Sequence, residues 1–198
     1  SSGVMRLNPE DGHFTVYPEL NTMNSAYALF FDSRDRLWVG TWGFGLARID
    51  RPLDAVDPGV VHYRPGRRGF DTHYHFIEDP LTATIWACSR DGVSVISPDG
   101  GSVWNYDAIA GRSVSFCKDI LTDGHGNIYL ATIREGIRHV STRQEMFRFH
   151  ELDTDEVFAK SRVNSVFTAD GRRFWAGLSP YGVALYDRES RTTLMSGP

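Results

Sequence analysis

Four short segments gather side chains that could bind a polar ligand: Trp42-Gly43-Phe44, Arg90-Asp91, Ile133-Arg134-Glu135 and Ser179-Pro180-Tyr181. Aromatic rings stack on the apolar faces of pyranose sugars, while forked cations and carboxylates hold hydroxyl or acid groups. Trp42, Phe44, Arg90, Arg134, Glu135 and Tyr181 are therefore candidate ligand-binding residues, and carbohydrate chemistry is what they suit. The competing use of Trp42 and Phe44 is to plug the space between structural units, which is the commoner role of aromatics. A second constellation is Arg64-Pro65-Gly66-Arg67-Arg68-Gly69 leading into Asp71-Thr72-His73-Tyr74-His75. By the period of two, His73 and His75 project from one face of a strand. Imidazole and carboxylate are competent metal ligands. This pair lacks a third ligand at a firm spacing, so packing or channel lining is the better expectation, and neither a metal nor a cofactor is assigned. Arg67 and its neighbours either meet an anion such as an acidic sugar or remain solvated. No nucleophile stands beside a base at a recognisable spacing, and no paired carboxylates recur, so no catalytic residue is assigned. Glu135 with Asp91 could act as acid and base across a channel, but nothing singles them out.

These segments recur because the chain repeats. Leu37-Trp38-Val39-Gly40-Thr41, Ile85-Trp86-Ala87-Cys88-Ser89, Ile128-Tyr129-Leu130-Ala131-Thr132 and Phe174-Trp175-Ala176-Gly177-Leu178 share one order of apolar, large aromatic, apolar and small residues. The anchoring aromatics lie 48, 43 and 46 residues apart, and Gly45, Gly92, Gly136 and Gly182 each open a second apolar stretch. A period in the mid-forties without helical patterning marks a radial or stacked array of small sheets. Each unit reads as strands A to D. Strand A is mixed, as in Ala26 to Phe31 or Val163 to Phe167, and strand D ends on Tyr17, Tyr63, Tyr106 or Phe149. The A–B turn opens on Asp32, Asp79, Asp123 or Asp170, because aspartate caps its own backbone in a tight turn. Strand B is apolar on both faces, which requires cover on both sides. A propeller provides that cover, with the indole filling the gap between blades and the small residue letting backbones approach.

The expected architecture is all-β: a β-propeller of four-stranded antiparallel blades. A partial blade spans residues 1–20, and complete blades span about 21–63, 64–106, 107–150 and 151–198. Both ends supply strands C and D, so they do not complement each other to close a ring. A segment of a larger propeller fits better, with an apolar face at each end that invites self-association. The stretch from Asp153 to Lys160 is the only helical candidate, and it reads as an ordered loop or a single turn.

Composition narrows the partners. The 198 residues are 41% hydrophobic and 13% aromatic, and 21 basic against 25 acidic side chains give a net charge of −4. Without a basic stripe, nucleic acid is not an expected partner. No apolar run approaches the roughly 18 residues that span a bilayer, and no signal peptide is present, so direct membrane insertion is not expected either. Ser1-Ser2-Gly3 reads like a cut inside a longer protein. Cys88 occupies the small position of strand B, so Cys88 and Cys117 are expected as buried free thiols, with a bridge as the alternative.

With strands B and C placed, Asp32-x-x-Asp35-x-Leu37-Trp38-Val39-Gly40-Thr41 followed by Gly45-Leu46-Ala47-Arg48-Ile49-Asp50 resembles the two-component regulator propeller repeat. Gly3 to Tyr17 is similar to that family's end-of-blade phrase. The later repeats depart from it: Tyr129 stands for Trp, Cys88 for Gly, and one residue is missing between Asp170 and Trp175. The resemblance implies a sensor in which seven-bladed propellers stand outside the cytoplasmic membrane, ahead of a membrane helix and an output domain, and many such receptors take carbohydrate fragments. It implies a periplasmic or extracellular location, an oligosaccharide or other small-molecule ligand, and the remaining blades or output domains as partners. The alternatives are a lyase or hydrolase with its site at the channel mouth, and a purely structural docking propeller.

Overall fold

The computed structural model describes residues 3–20, 25–54, 56–64, 69–142, 161–170, 172–180, 182–187, 189–190 and 192–197, without the side chains of 19 and 195–197. Phe149, Asp153 to Lys160, Arg67, Arg68 and Tyr181 lie outside these residues.

Strand formation follows the repeat. A two-stranded antiparallel pair, β1 (Met5–Leu7) and β2 (Phe14–Val16), precedes a sheet of order β3 (Ala26–Phe31), β4 (Leu37–Thr41), β5 (Leu46–Ile49) and β6 (Val60–Tyr63). The next sheet runs β7 (His73–Glu78), β8 (Ile85–Ser89), β9 (Gly92–Ile96) and β10 (Val103–Tyr106). A small hairpin, β11 (Ala108–Ile109) with β12 (Arg112–Ser113), leads to β13 (Cys117–Thr122), β14 (Asn127–Thr132) and β15 (Gly136–Ser141). The last sheet runs β16 (Arg162–Thr168), β17 (Arg173–Ser179), β18 (Gly182–Asp187) and β19 (Thr192–Gly197). Every pairing is antiparallel between consecutive strands. This is a run of meander blades, the first starting at β3, the second at β7, the third at β13 and the fourth at β16. A single 3-10 turn, Pro18–Leu20, precedes the first blade. No helix among the described residues is long and apolar enough to cross a membrane.

The cores lie between sheets. Trp38, Leu46, Phe76, Ile85, Ala87 and Ile96 fill the gap between the first and second blades. Trp86, Val95, Val114, Ile120, Leu130 and Val140 fill the next gap, and Tyr129, Ile137, Val166, Phe174 and Tyr186 the one after. Val4, Tyr17 and Leu20 cover the other face of the first blade through Leu37, Val39 and Ile49. The first strands β3, β7, β13 and β16 lie side by side, as the inner rim of a propeller does. Of the anchors, Trp38 is 0% exposed, whereas Trp175 is 40% exposed on a face of the fourth blade that no sheet among the described residues covers.

The turn aspartates behave as their chemistry requires. Asp32 accepts the Arg34 and Arg36 N–H groups at 3.0 Å each, the Arg36 Nε at 2.7 Å and the Trp38 Nε1 at 2.8 Å. Asp123 and Asp170 cap their turns in the same way. Burial pushes the Asp32 carboxyl up, but the Trp38 indole and the Arg36 and Arg34 donors outweigh this and hold it below the ordinary aspartate value.

The structure corrects the expectation of free thiols. Cys88 on β8 and Cys117 on β13 form a disulfide with Cα atoms 5.0 Å apart, and neither cysteine is free. The reason is the blade gap itself. The small strand-B residue and the start of the next blade's strand A face each other at a Cα spacing that a bridge spans.

Candidate functional site

The segments joining strands B to C and strand D to the next strand A share one rim. Trp42 donates its N–H to the Ser25 carbonyl (3.0 Å), Arg90 to Thr72 (3.1 Å) and Ile133 to Phe116 (3.2 Å), the same link in three successive blades. Between blades, Gly45 donates to the Asp71 carbonyl and Phe116 to the Arg90 carbonyl, each at 2.7 Å. This rim therefore carries most of the side chains singled out from the sequence.

Each described strand A breaks its register at the same place. The pairing skips Tyr27 between Ala26 and Ala28, Tyr74 between His73 and His75, Lys118 between Cys117 and Asp119, and Asn164 between Val163 and Ser165. A bulge of this kind re-aims a side chain beside a rim. The bulged residues meet one another: the Tyr27 and Tyr74 rings lie 5.6 Å apart, edge to face. Trp42 sits 6.1 Å from Tyr27 and 6.2 Å from Tyr74. The Lys118 Nζ lies 3.5 Å above the Tyr74 ring, a cation–π contact, and burial lowers its pKa. Tyr27 and Trp42 keep 58% and 53% of their surface exposed, so their rings are available to a ligand.

A cleft of about 270 Å³ opens beside Trp42 and is lined also by Gly43, Gly69, Asp71, Thr72, Arg90 and Asp91. Its geometry is fixed by local chemistry. Gly43 donates its N–H to Thr72 Oγ1 at 3.0 Å, tying the first blade's loop to the second. Gly69, at φ +95°, lies so close to Asp91 that a Cβ there would stand 1.8 Å from the carboxylate. The cleft thus joins an indole, two carboxylates and a guanidinium, a set able to hold a small polyhydroxylated molecule.

The candidates separate accordingly. Trp42 and Arg90 meet in the cleft, and Arg134 approaches Arg90 through the Phe116 ring, with guanidinium carbons 5.8 and 6.0 Å from the ring centroid. Glu135 is held by Arg138 at 2.7 Å within the third blade. Phe44 is partly exposed on the first loop, its N–H bound to Thr41 Oγ1, and does not line the cleft. His73 and His75 do not share a face, because the bulge at Tyr74 breaks the period of two. His73 is 0% exposed and packs with Nε2 3.1 Å from Ser94 Oγ, whose hydroxyl donates to Asn105 at 2.7 Å. Burial pulls its pKa down to about 4 against the Gly45 backbone and the Asp71 charge. His75 instead pairs with Asp119 on the neighbouring strand A, and Asp119 also accepts the Val166 N–H at 3.0 Å, so three blades are tied at one carboxylate. Burial raises the Asp119 pKa, but His75 and the Val166 amide hold it below the ordinary value. Among the described residues no three His, Cys, Asp or Glu side chains converge as a metal requires.

Tyr27, Tyr74, Phe116, Lys118 and Thr72 belong to the rim but carry no sequence signal of their own. What could have found them is the alignment of the strand-A segments, since Tyr27, Tyr74, Lys118 and Asn164 occupy one column.

No curated protein sequence matches the chain. Solved structures do. The extracellular domain of BT4673 from B. thetaiotaomicron, described as a hybrid two component system, superposes with a TM-score of 0.71 at 17% identity over 85% of this chain and 24% of that one. The extracellular domain of BT3049 from the same organism, described likewise, gives 0.69 at 17% identity over 100% of this chain and 28% of that one. PorZ, a surface component of the type-IX secretion system of Porphyromonas gingivalis, gives 0.71 at 14% identity over 98% and 31%. The chain thus spans about a quarter to a third of the length of these relatives, and the likeness fixes the fold. Residues 20–43, which carry the first turn aspartate, the Trp38 anchor and Trp42, match the repeat described as two component regulator propeller. The chain has the β-propeller fold, and the stretch from 20 to 43 is similar to the two component regulator propeller repeat.

Proposed function

We propose that this chain is a non-catalytic, ligand-sensing propeller segment of an extracytoplasmic receptor in a two-component-type signalling protein, and that it reads a carbohydrate fragment at the rim. The observation that carries the proposal is the exposed Trp42 ring beside a cleft lined by Arg90, Asp71 and Asp91. An indole face with polar groups at its edge is the chemistry that sugar rings select. The extracellular origin of BT4673 and BT3049 supports the location. The bridge between Cys88 and Cys117 supports it too, because structural disulfides persist in oxidising compartments. Signalling passes to the remaining blades or output domains of the parent protein, and the exposed side chains of Phe167 and Trp175 offer a surface for such contacts or for a second copy.

Calorimetric titration of the chain with an oligosaccharide panel tests the reading, alongside Trp42→Ala and Arg134→Ala. Saturable binding weakened by Trp42→Ala supports it, and uniform absence of heat across the panel removes sugar sensing. A lyase or hydrolase working through His73 and His75 is disfavoured, because His73 is buried.

A further inference from the structure

Three cations on the rim have no carboxylate partner among the described residues: Arg90, Arg134 and Lys118. Elsewhere Arg6 and Arg34 bond backbone carbonyls, and six arginines are paired with carboxylates. Arg36 is paired with Asp32, Arg48 with Asp50, Arg51 with Asp57, Arg138 with Glu135, Arg172 with Asp187 and Arg173 with Asp170. In a chain of net charge −4, unpaired cations gathered at one place need a reason. Here they are also held in place by aromatic rings rather than left to wave in solvent. Arg90 and Arg134 both lie against Phe116, whose backbone is fixed at φ +52° by hydrogen bonds to the second and third blades. Lys118, two residues on, is swung by its bulge onto Tyr74, which in turn touches Trp42 and Tyr27.

We infer that the ligand of this rim is an anionic saccharide, a pyranose bearing a carboxylate or sulfate. This inference rests on the carbohydrate reading above. Its acid group is taken by Arg90, Arg134 and Lys118, and its ring lies on the exposed faces of Trp42 and Tyr27. The two carboxylates of the cleft, Asp71 and Asp91, accept hydroxyl protons, a role that a simple anion cannot satisfy and a sugar can. With Glu135 neutralised by Arg138, three cations face the two carboxylates of the cleft, and guanidinium groups stacked on a ring keep their fork free for an oxyanion.

The test uses the intact chain and three probes: tetragalacturonate, its methyl ester, and a sulfated galacto-oligosaccharide. The ester keeps the ring and its hydroxyls and removes the charge. The acid form is expected to bind about tenfold more tightly than the ester at low salt, with the advantage shrinking as salt is added. Arg90→Ala with Arg134→Ala should erase that advantage by weakening the acid about tenfold more than the ester, and Arg90→Lys with Arg134→Lys should restore part of it. A stronger response to the sulfated probe supports the same inference and identifies sulfate as the acid group. Equal affinity for acid and ester, unmoved by the double variant, overturns the anionic inference and leaves carbohydrate sensing standing. Inorganic sulfate competing as well as the saccharides overturns the role of the ring. If none of the three saccharides binds to chain of native circular dichroism, both the inference and the reading beneath it fall.

Discussion

Gly40 and Gly177 occupy the same position of the repeat, two residues after the anchor aromatic, yet they should answer differently to the same substitution. A Cβ at Gly40 would lie 2.9 Å from the His73 carbonyl oxygen, 2.9 Å from the edge of the Phe76 ring and 3.1 Å from the His73 Cβ. Two of these three atoms belong to His73, whose own side chain is buried and whose backbone is held in the β7–β8 ladder. The neighbouring blade must therefore retreat by several tenths of an ångström, and overpacking of this kind costs about 1–3 kcal/mol. Against it stands about 0.4–1 kcal/mol from the restricted unfolded chain that alanine brings. The net expectation for Gly40→Ala is a loss of about 1–2 kcal/mol. At Gly177 the only close atom is the Ser165 Oγ at 2.5 Å, with nothing else nearer than 3.8 Å. A hydroxyl can turn away, so Gly177→Ala should be neutral or slightly stabilising. Urea denaturation followed by tryptophan fluorescence measures both, and the slope of the transition should be unchanged. A Gly40→Ala variant within about 0.5 kcal/mol of the parent, or a Gly177→Ala variant that is the weaker of the two, would refute the idea that this residue is small because a neighbouring blade abuts it.

Replacing Cys88 and Cys117 by alanine should lower stability by about 3–4 kcal/mol, from a bridge closing a separation of 29 residues. A reductant should reproduce that loss in the parent and add nothing in the variant when both are unfolded in urea. Asp32 is held below the ordinary aspartate value of 3.8, so its contribution is present above that pH and is lost as pH falls through its folded-state pKa. Asp32→Asn should therefore destabilise the chain near pH 7 and flatten the acid limb of its stability profile below about pH 4, as read from unfolding curves across pH. Ala83 holds φ 53° in the A–B turn of the second blade, where Asp35 and Gly126 hold φ 58° and 81° in the equivalent turns. Ala83→Gly should relieve left-handed strain and raise stability by about 0.5–1 kcal/mol, since glycine tolerates this conformation but starts from a freer unfolded state. A thermal melt checks it.

The architecture was legible because the forces that shape it act locally and repeat. Trp38, Trp86 and Tyr129 are buried between sheets, as an apolar run on both faces of strand B requires. The turn aspartates cap the amides that the sequence offered them. What was not legible depends on contacts between blades. The bulge at Tyr74 is set by how strand A fits the rim, not by residue alternation, and it sends His73 inward and His75 outward. Cys88 and Cys117 looked like separate packing residues because the short distance between them exists only when the second and third blades are stacked. The hairpin from Ala108 to Ser113 is too brief to leave a period, although it carries Ile109 into the gap between the second and third blades. Arg90 and Arg134 were visible as rim residues, whereas the Phe116 ring that orients both was not, since the equivalent positions of the other blades hold Ser25 and Thr72 and no ring.

Because every apolar cluster is shared by two successive sheets, the unit that is copied in the sequence is not the unit that folds. An inner blade excised from the chain would carry half of two cores and the whole of neither. Duplication of a blade would succeed only when the newcomer's two sides fit unlike neighbours, so the divergence of Cys88 and Ala131 from Gly40 is what adjacency imposes on members of an array.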